Sequence, residues 1–440
     1  MRFDHFQSRV LAAQEDDDEL LALLGLGAHA GALLDAHGRY LRESLDRSAS
    51  TSRVSRELGR LLRHVAEIAT AHGLSLDEVA RGNLVKARRK WAERIGVKGM
   101  PRVPSGGVHI ARYQELSALT DLYARKGMDS RALSVPMLGL AGEAGTLLVA
   151  QKKAFRDTER SVEDPEFVAI ELGDVLWYAA TVAQHCELKL QEIAIAAAER
   201  AEAEHGELAF LRALPRDLPV LDKEYPKVER FPRRLVIRFQ QQQAGPRQQP
   251  RAKLTLVSAT PNAFPKGPIR DYYGSGKPQG FAVPDDFGAA LTDNSRRVDH
   301  YRFHDAVHLG FLAVLGWSPT TRSLLKLKRR SNADVDRDED GARAIFAEEG
   351  LAALLAKRAS ELQGFRTERS VDDETVEMLT TVLEDLEVSK MPPALWRRAV
   401  VQGFAAMRAL TDSGGGYLVV DLNKRSLKFS RTDPTRGRRR

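Results

Sequence analysis

The chain has 440 residues, 43% of them hydrophobic, enough for buried cores in roughly two to four domains, which excludes a wholly disordered protein. Its 67 basic and 60 acidic residues leave a formal charge of +7 and a pI near 9.4, a modest excess that favours a polyanionic ligand such as a nucleotide and permits weak nucleic-acid binding. Cys186 is the single cysteine, so no intrachain disulfide forms, and the absence of an apolar signal core or of a run of about 18 apolar residues predicts a soluble cytoplasmic protein with no membrane partner.

In chain order, residues 1–96 read as helical, and they are echoed further along. Leu24–Glu43 aligns without a gap on Leu138–Asp157, and at the same offset Glu57–Val79 aligns on Glu171–Ile193. This is an internal repeat. Between its halves, Val97–Gly107 is rich in Pro and Gly and reads as a linker.

The second half is the richer in chemistry. Val168, Leu172, Val175, Leu176, Ala179 and Val182 recur at helical spacing, which predicts an apolar face with Glu171 and Asp174 one turn apart beside it. On the preceding helix Glu143 and Thr146 have the same spacing, next to Gly142 and Gly145, whose missing side chains permit close helix approach. Two antiparallel helices would bring three carboxylates together. Hard oxygen ligands of this kind suit Mg²⁺. Taken singly, either acidic pair would more often be a solvated helix face.

At these residues the chain resembles the MazG-like all-α nucleoside triphosphate pyrophosphohydrolases: an acidic pair on one helix, a basic run, then a second acidic pair in the context ELGDVLWY. The resemblance implies that Glu143, Glu171 and Asp174 hold Mg²⁺ (or Mn²⁺), that Glu171 and Glu143 carry the catalytic role, and that water attacks the α-phosphorus to release monophosphate and pyrophosphate. Thr146 departs from the pattern, which has a carboxylate there. Lys152 and Lys153 match the basic run and suit phosphate contacts.

The first repeat has lost this set: His29 stands for Glu143, Ala32 for Thr146 and Arg60 for Asp174, leaving Glu57. It keeps Asn83 and Lys86 on its last helix, similar to the family's phosphate-facing Asn and Lys, where the second repeat has Ala197 and Arg200. Two readings follow. Either the repeats pack as an internal pseudo-dimer in which Asn83 and Lys86 complete the second repeat's site, or both side chains lie on a solvated face. Trp177 and Tyr178 read as core aromatics rather than base-stacking groups.

Beyond Glu207 the prolines at 215, 219, 226 and 232 end the helical pattern, and RRLVIRFQ and AKLTLVSA read as strands. The Gly-rich GSGK lacks full phosphate-loop spacing. A third helical stretch carries His304, Asp305 and His308, which with Glu348 would suit a second metal site or be hydrogen-bonded to neighbouring acids. Its FHDAVH and EDGARAIFAEE segments resemble the C-terminal domain fused to MazG-like modules. RSLLKLKRR reads as a basic stripe, solvated or meeting phosphates, and GGGYLVVDLNKRSLKFS reads as a terminal hairpin.

The expected architecture is mostly α: tandem MazG-like bundles at 1–97 and 108–206, an α+β domain at 223–430 and a basic tail at 431–440. The expected activity is Mg²⁺-dependent hydrolysis of a nucleoside triphosphate, with a homodimer as the expected assembly. The alternative is a weakened nucleotide-binding sensor or scaffold, conceivably in phage defence. Nucleic-acid binding has no helix-turn-helix, RNA-recognition or zinc-finger pattern behind it.

Overall fold

The computed structural model describes residues 1–12, 18–42, 45–95, 102–121, 130–158, 164–212, 214–215, 218–242, 249–260, 290–293 and 299–435. The GSGK segment, residues 97–101 of the Pro/Gly linker and the end of the basic tail lie outside them. The protein is mostly α, with an α+β C-terminal part, and its chain forms two compact units, Met1–Glu207 and Leu208–Arg440.

The first unit contains both repeats. Each opens with a short helix, α1 (Phe3–Leu11) or α5 (Ile110–Ala118), followed by a long helix pair, α2 (Glu19–Leu41) with α3 (Arg47–Ala71), or α6 (Ser130–Thr158) with α7 (Pro165–His185). A last helix follows, α4 (Leu76–Ile95) or α8 (Leu190–Arg212). Asp18, Asp46 and Asp164 each accept backbone N–H groups at the start of α2, α3 and α7, and Pro165 suits the first turn of α7 because its missing N–H would be unpaired there anyway. All six apolar positions anticipated on α7 are buried, the five Val and Leu side chains each worth about 1.5–3 kcal/mol relative to exposure.

The repeat symmetry extends to its buried amides. Gln7 donates from Nε2 to the Leu74 carbonyl and accepts from the Leu76 N–H, and Gln114 does the same with Leu188 and Leu190. Each glutamine therefore closes the turn between the third and last helices of its own repeat. By length and composition alone, α2 and residues 132–157 of α6 would reach across a membrane. Here they pack on each other and on α3 and α7, while Leu21, Leu24 and Leu138 stay exposed.

The second unit is built on an antiparallel sheet with strand order β3-β2-β1-β4-β5. Its strands are β1 (Arg234–Gln242), β2 (Arg251–Thr260), β3 (Leu291–Thr292), β4 (Gly415–Asp421) and β5 (Ser426–Ser430). β1 and β2 are the two predicted strands, and β4–β5 is the predicted hairpin. Against the sheet pack α9 (Asp305–Leu315) and α14 (Pro393–Ser413). They approach so closely that a Cβ on Gly310 would lie 2.7 Å from the Ala399 carbonyl. That contact anchors the start of α9, and α10 (Pro319–Leu324), α11 (Ala333–Asp338), α12 (Ala342–Ala359) and α13 (Asp373–Val382) complete the unit.

The basic stripe is split: Lys326 and Arg330 are exposed and Lys328 is half-buried. Arg322 and Arg329 are buried: Arg322 donates to the Glu229 and Leu327 carbonyls, and Arg329 pairs with Asp340 at 2.7 Å and Glu387 at 2.7 Å. Each guanidinium has five donors and finds internal acceptors, so neither is free for phosphate. Glu339 and Asp340 are likewise committed, Glu339 to the Glu387 N–H and Asp340 to Arg329.

Candidate functional site

In the first unit, Glu143 on α6 and Glu171 and Asp174 on α7 face one another. Glu171 has one carboxylate oxygen buried without a hydrogen-bond partner. Burial, and then the adjoining Glu143 carboxyl within hydrogen-bonding reach, raise the Glu171 carboxyl to about 7, with Asp174 adding to the rise and the Lys86 ammonium opposing it. Three acids this close repel one another when ionised, so the cluster is short of positive charge.

Part of that charge comes from the other repeat. Asn83 on α4 donates from Nδ2 to Asp174 Oδ1 at 2.9 Å, and Lys86, one turn on, forms an ion pair with Asp174 Oδ2. Tyr113 on α5 donates its hydroxyl to Asn83 Oδ1 at 2.9 Å. An amide whose oxygen accepts from Tyr113 must turn its NH₂ towards Asp174, so the tyrosine sets which end of Asn83 faces the acid. Nothing in the sequence singles out Tyr113 for this role, because it depends on contact with a helix of the other repeat. Of the two readings of Asn83 and Lys86, the geometry realises the cross-repeat one.

Close approach of α4 to α7 depends on Gly173, where a Cβ would lie 3.0 Å from Asn83 Cβ. The equivalent Gly59 on α3 faces Ala197 on α8 in the same way, at 3.4 Å. The internal two-fold relation thus holds at the helix contacts even where the chemistry has diverged.

In the first repeat the two replacements close on the remaining acid. His29 Nδ1 is 2.8 Å from Glu57 Oε2, and Arg60 donates to Glu57 Oε1 at 3.1 Å. Burial works against the Glu57 charge, but the His29 hydrogen bond and Arg60 outweigh it and hold the carboxyl below its ordinary range. His29 also stacks on His64, with ring centroids 5.3 Å apart. An imidazole and a guanidinium therefore flank Glu57 at the positions that correspond to Glu143 and Asp174.

Thr146 is exposed and donates its hydroxyl to the Gly142 carbonyl of its own helix at 3.2 Å. Lys152 and Lys153 are exposed towards the end of α6. Trp177 donates to Thr120 Oγ1 at 2.8 Å and Tyr178 packs over Gly139, both as structural contacts. Cys186 is half-buried, and burial pushes its thiol up to about 11, which makes it a poor nucleophile.

In the second unit, one ligand atom from each of His304, Asp305 and His308 lies within 4.8 Å of the others. Glu348 is drawn off by Ser318 Oγ at 2.7 Å and the Thr320 N–H at 2.8 Å, besides its 2.9 Å contact with His308 Nδ1. Its neighbour Glu349 faces the Nε2 atoms of both histidines, at 3.6 Å from His304 and 3.4 Å from His308.

The chain is thus a protein with a repeated helical unit, an acidic cluster in that unit's second repeat, and a separate α+β unit. It belongs to a MazG-related family: residues 279–433 match the family model of the MazG C-terminal domain. It is also 34% identical over 90 residues to the Gene 37 protein of Mycobacterium phage L5, an alignment covering 20% of this chain and 79% of the phage protein. Comparison with solved structures finds no match.

Proposed function

We propose that the protein hydrolyses nucleoside triphosphates between the α and β phosphorus atoms, in a Mg²⁺-dependent reaction at the Glu143–Glu171–Asp174 cluster. The observation that carries this reading is the convergence of three carboxylates from two helices, one with an oxygen buried and without a partner. An orphaned buried oxygen is costly unless a proton or a cation meets it, and a carboxylate-only donor set suits Mg²⁺ or Mn²⁺.

Glu143, Glu171 and Asp174 would hold the ion. When bound, it supplies charge screening for the phosphates and acidifies water. A carboxylate oxygen that the ion leaves free would take the proton lost by the attacking water, with Glu171 the candidate for either role, ligand or base. Lys86 is close enough to Asp174 to neutralise it when no ion is bound and, once released, to meet a phosphate oxygen. Asn83, held by Tyr113, positions Asp174. Lys152 and Lys153, exposed further along α6, supply attraction for the polyphosphate rather than contacts at the acids. A homodimer paired through helices is the assembly this reading suggests, unless the internal repeat replaces that contact, and light scattering would register it.

Thr146 favours a second reading. With its hydroxyl turned back to Gly142, it adds no fourth carboxylate, and the site would then bind nucleotide without rapid turnover. Incubation of a nucleotide panel with Mg²⁺ or Mn²⁺ and identification of products separates the two. Monophosphate plus pyrophosphate, abolished by Glu171→Ala and Asp174→Ala and increased by Thr146→Glu, supports the hydrolase. Nucleotide binding without pyrophosphate release supports the sensor, and orthophosphate as the direct product overturns the proposed bond cleavage.

A further inference from the structure

The second unit carries a separate set of metal-binding groups that the proposed hydrolytic site does not use. His304 Nδ1 is 2.8 Å from the Tyr301 carbonyl oxygen. A carbonyl only accepts, so Nδ1 carries the proton and the neutral ring's lone pair sits on Nε2. The ring is held in place by stacking on Tyr301, with centroids 4.1 Å apart and planes 7° from parallel. One helical turn later, His308 is fully buried; its Nδ1 lies 2.9 Å from Glu348 Oε1 as a charge contact without hydrogen-bond geometry, and its Nε2 has no hydrogen-bond partner either. An ionised carboxylate accepts and cannot donate, so the proton of a neutral His308 also belongs on Nδ1. A carboxylate or carbonyl behind one ring nitrogen is the arrangement that orients metal-ligating histidines and raises their basicity.

Both Nε2 atoms then converge on carboxylate oxygens. Glu349 Oε2 lies 3.6 Å from His304 Nε2 and 3.4 Å from His308 Nε2, and Asp305 Oδ1 lies 3.6 Å from His304 Nε2. Charge-assisted hydrogen bonds are shorter, about 2.7–2.9 Å. Two ligands each about 2.0–2.1 Å from a tetrahedral ion are, by contrast, about 3.3–3.4 Å apart. The 3.4 Å separation matches that of two ligands of one ion, the two of 3.6 Å are slightly wider, and all three are longer than a charge-assisted hydrogen bond.

We infer that His304, His308, Glu349 and Asp305 form a site for one borderline divalent ion, with Zn²⁺ bound more tightly than Mn²⁺. Two imidazole donors disfavour Mg²⁺, which takes oxygen ligands, and the general order of first-row affinities places Zn²⁺ above Mn²⁺. Glu348 is the supporting residue: it is wholly enclosed and tied to Ser318 and Thr320, so it fixes His308 without entering the site. Glu349 is the accessible ligand, its side chain 37% exposed, so the ion's open side faces solvent there and can carry a water or an anionic ligand.

The test uses the full chain, stripped with chelator and titrated with Zn²⁺ alone, with metal content measured after dialysis. The expected result is one tightly held Zn²⁺ per chain that persists in a Glu171→Gln, Asp174→Asn variant. It is weakened at least about tenfold in Glu349→Gln and in His304→Gln, variants checked for unchanged circular dichroism. Unchanged affinity in the two histidine-site variants, or loss of Zn²⁺ only with the Glu171 and Asp174 changes, overturns the proposal and leaves the hydrolytic reading standing. Should a variant fail to fold, Co²⁺ bound to the unmutated chain decides: strong visible absorption from a four-coordinate site supports the assignment, and only the weak bands of six-coordinate Co²⁺ refute it.

Discussion

Asn83, near the end of the first repeat, donates a 2.9 Å hydrogen bond to Asp174 in the second, so the acidic cluster of one repeat is completed by a side chain of the other. Because Lys86 joins it on the same carboxylate, the two should differ in what they support. Lys86→Met removes a competitor for Asp174 and a phosphate partner together. The expected outcome is an unchanged or tighter Mg²⁺ dissociation constant with kcat/KM lowered roughly 10–100-fold, the scale of a lost charge-assisted bond. Asn83→Ala should weaken Mg²⁺ binding and turnover together. Calorimetry and steady-state kinetics on the same preparations would separate these cases.

Titration of Glu171 gives a pH prediction. Its carboxyl is raised from an ordinary value of 4.5 to about 7 in the folded, metal-free protein, so the fold binds this proton more tightly than the unfolded chain does. Its contribution to stability is full below about pH 4.5 and is lost as pH rises through about 7. Metal must displace the same proton, so Mg²⁺ affinity should rise from pH 6 to pH 8. Glu171→Gln should flatten both trends, read by thermal melts without metal and by Mg²⁺ titration at the two pH values.

The first repeat offers the converse experiment. Glu57 is buried and contacted by His29 and Arg60, so Arg60→Ala leaves a buried carboxylate without its guanidinium partner. The expected loss is about 1–3 kcal/mol of stability in denaturant unfolding, with nucleotide hydrolysis per folded molecule unchanged. A drop in turnover of the folded enzyme would show that this repeat does more than hold the second in place.

Gly173 and Gly59 form an internal control. A methyl at Gly173 meets Asn83 Cβ at 3.0 Å and would push α4 away from Asp174, whereas at Gly59 it meets Ala197 Cβ at an ordinary 3.4 Å. Gly173→Ala should cost about 1–3 kcal/mol, as overpacking does, and reduce turnover. Gly59→Ala should be tolerated or slightly stabilising, because alanine suits a helix interior better than glycine does. Equal melting temperatures for the two variants would contradict the close packing at Gly173.

Much of this protein could be read from the order of its residues. Helical spacing alone placed Val168, Leu172 and Val175 in the core with Glu171 and Asp174 beside them, and two-residue alternation marked β1 and β2. The constant offset between repeats paired His29 with Glu143 and Arg60 with Asp174. These are local properties, set by the 3.6-residue and 2-residue periods of the backbone.

Partnership across helices was decided elsewhere. Composition marked Arg322 and Arg329 as part of a basic stripe, yet folding surrounds both with carbonyls and carboxylates from distant segments. Glu348 and Glu349 are adjacent in sequence, but about 100° of helical turn sends one to Ser318 and the other to two histidines. The same holds for His29 on α2, whose contact with Glu57 on α3 fills a lost ligand position with a side chain from a neighbouring helix. A helix's own period fixes which residues share a face. Only packing against other helices determines what that face meets, and so whether its charges answer to a metal, a proton or another side chain.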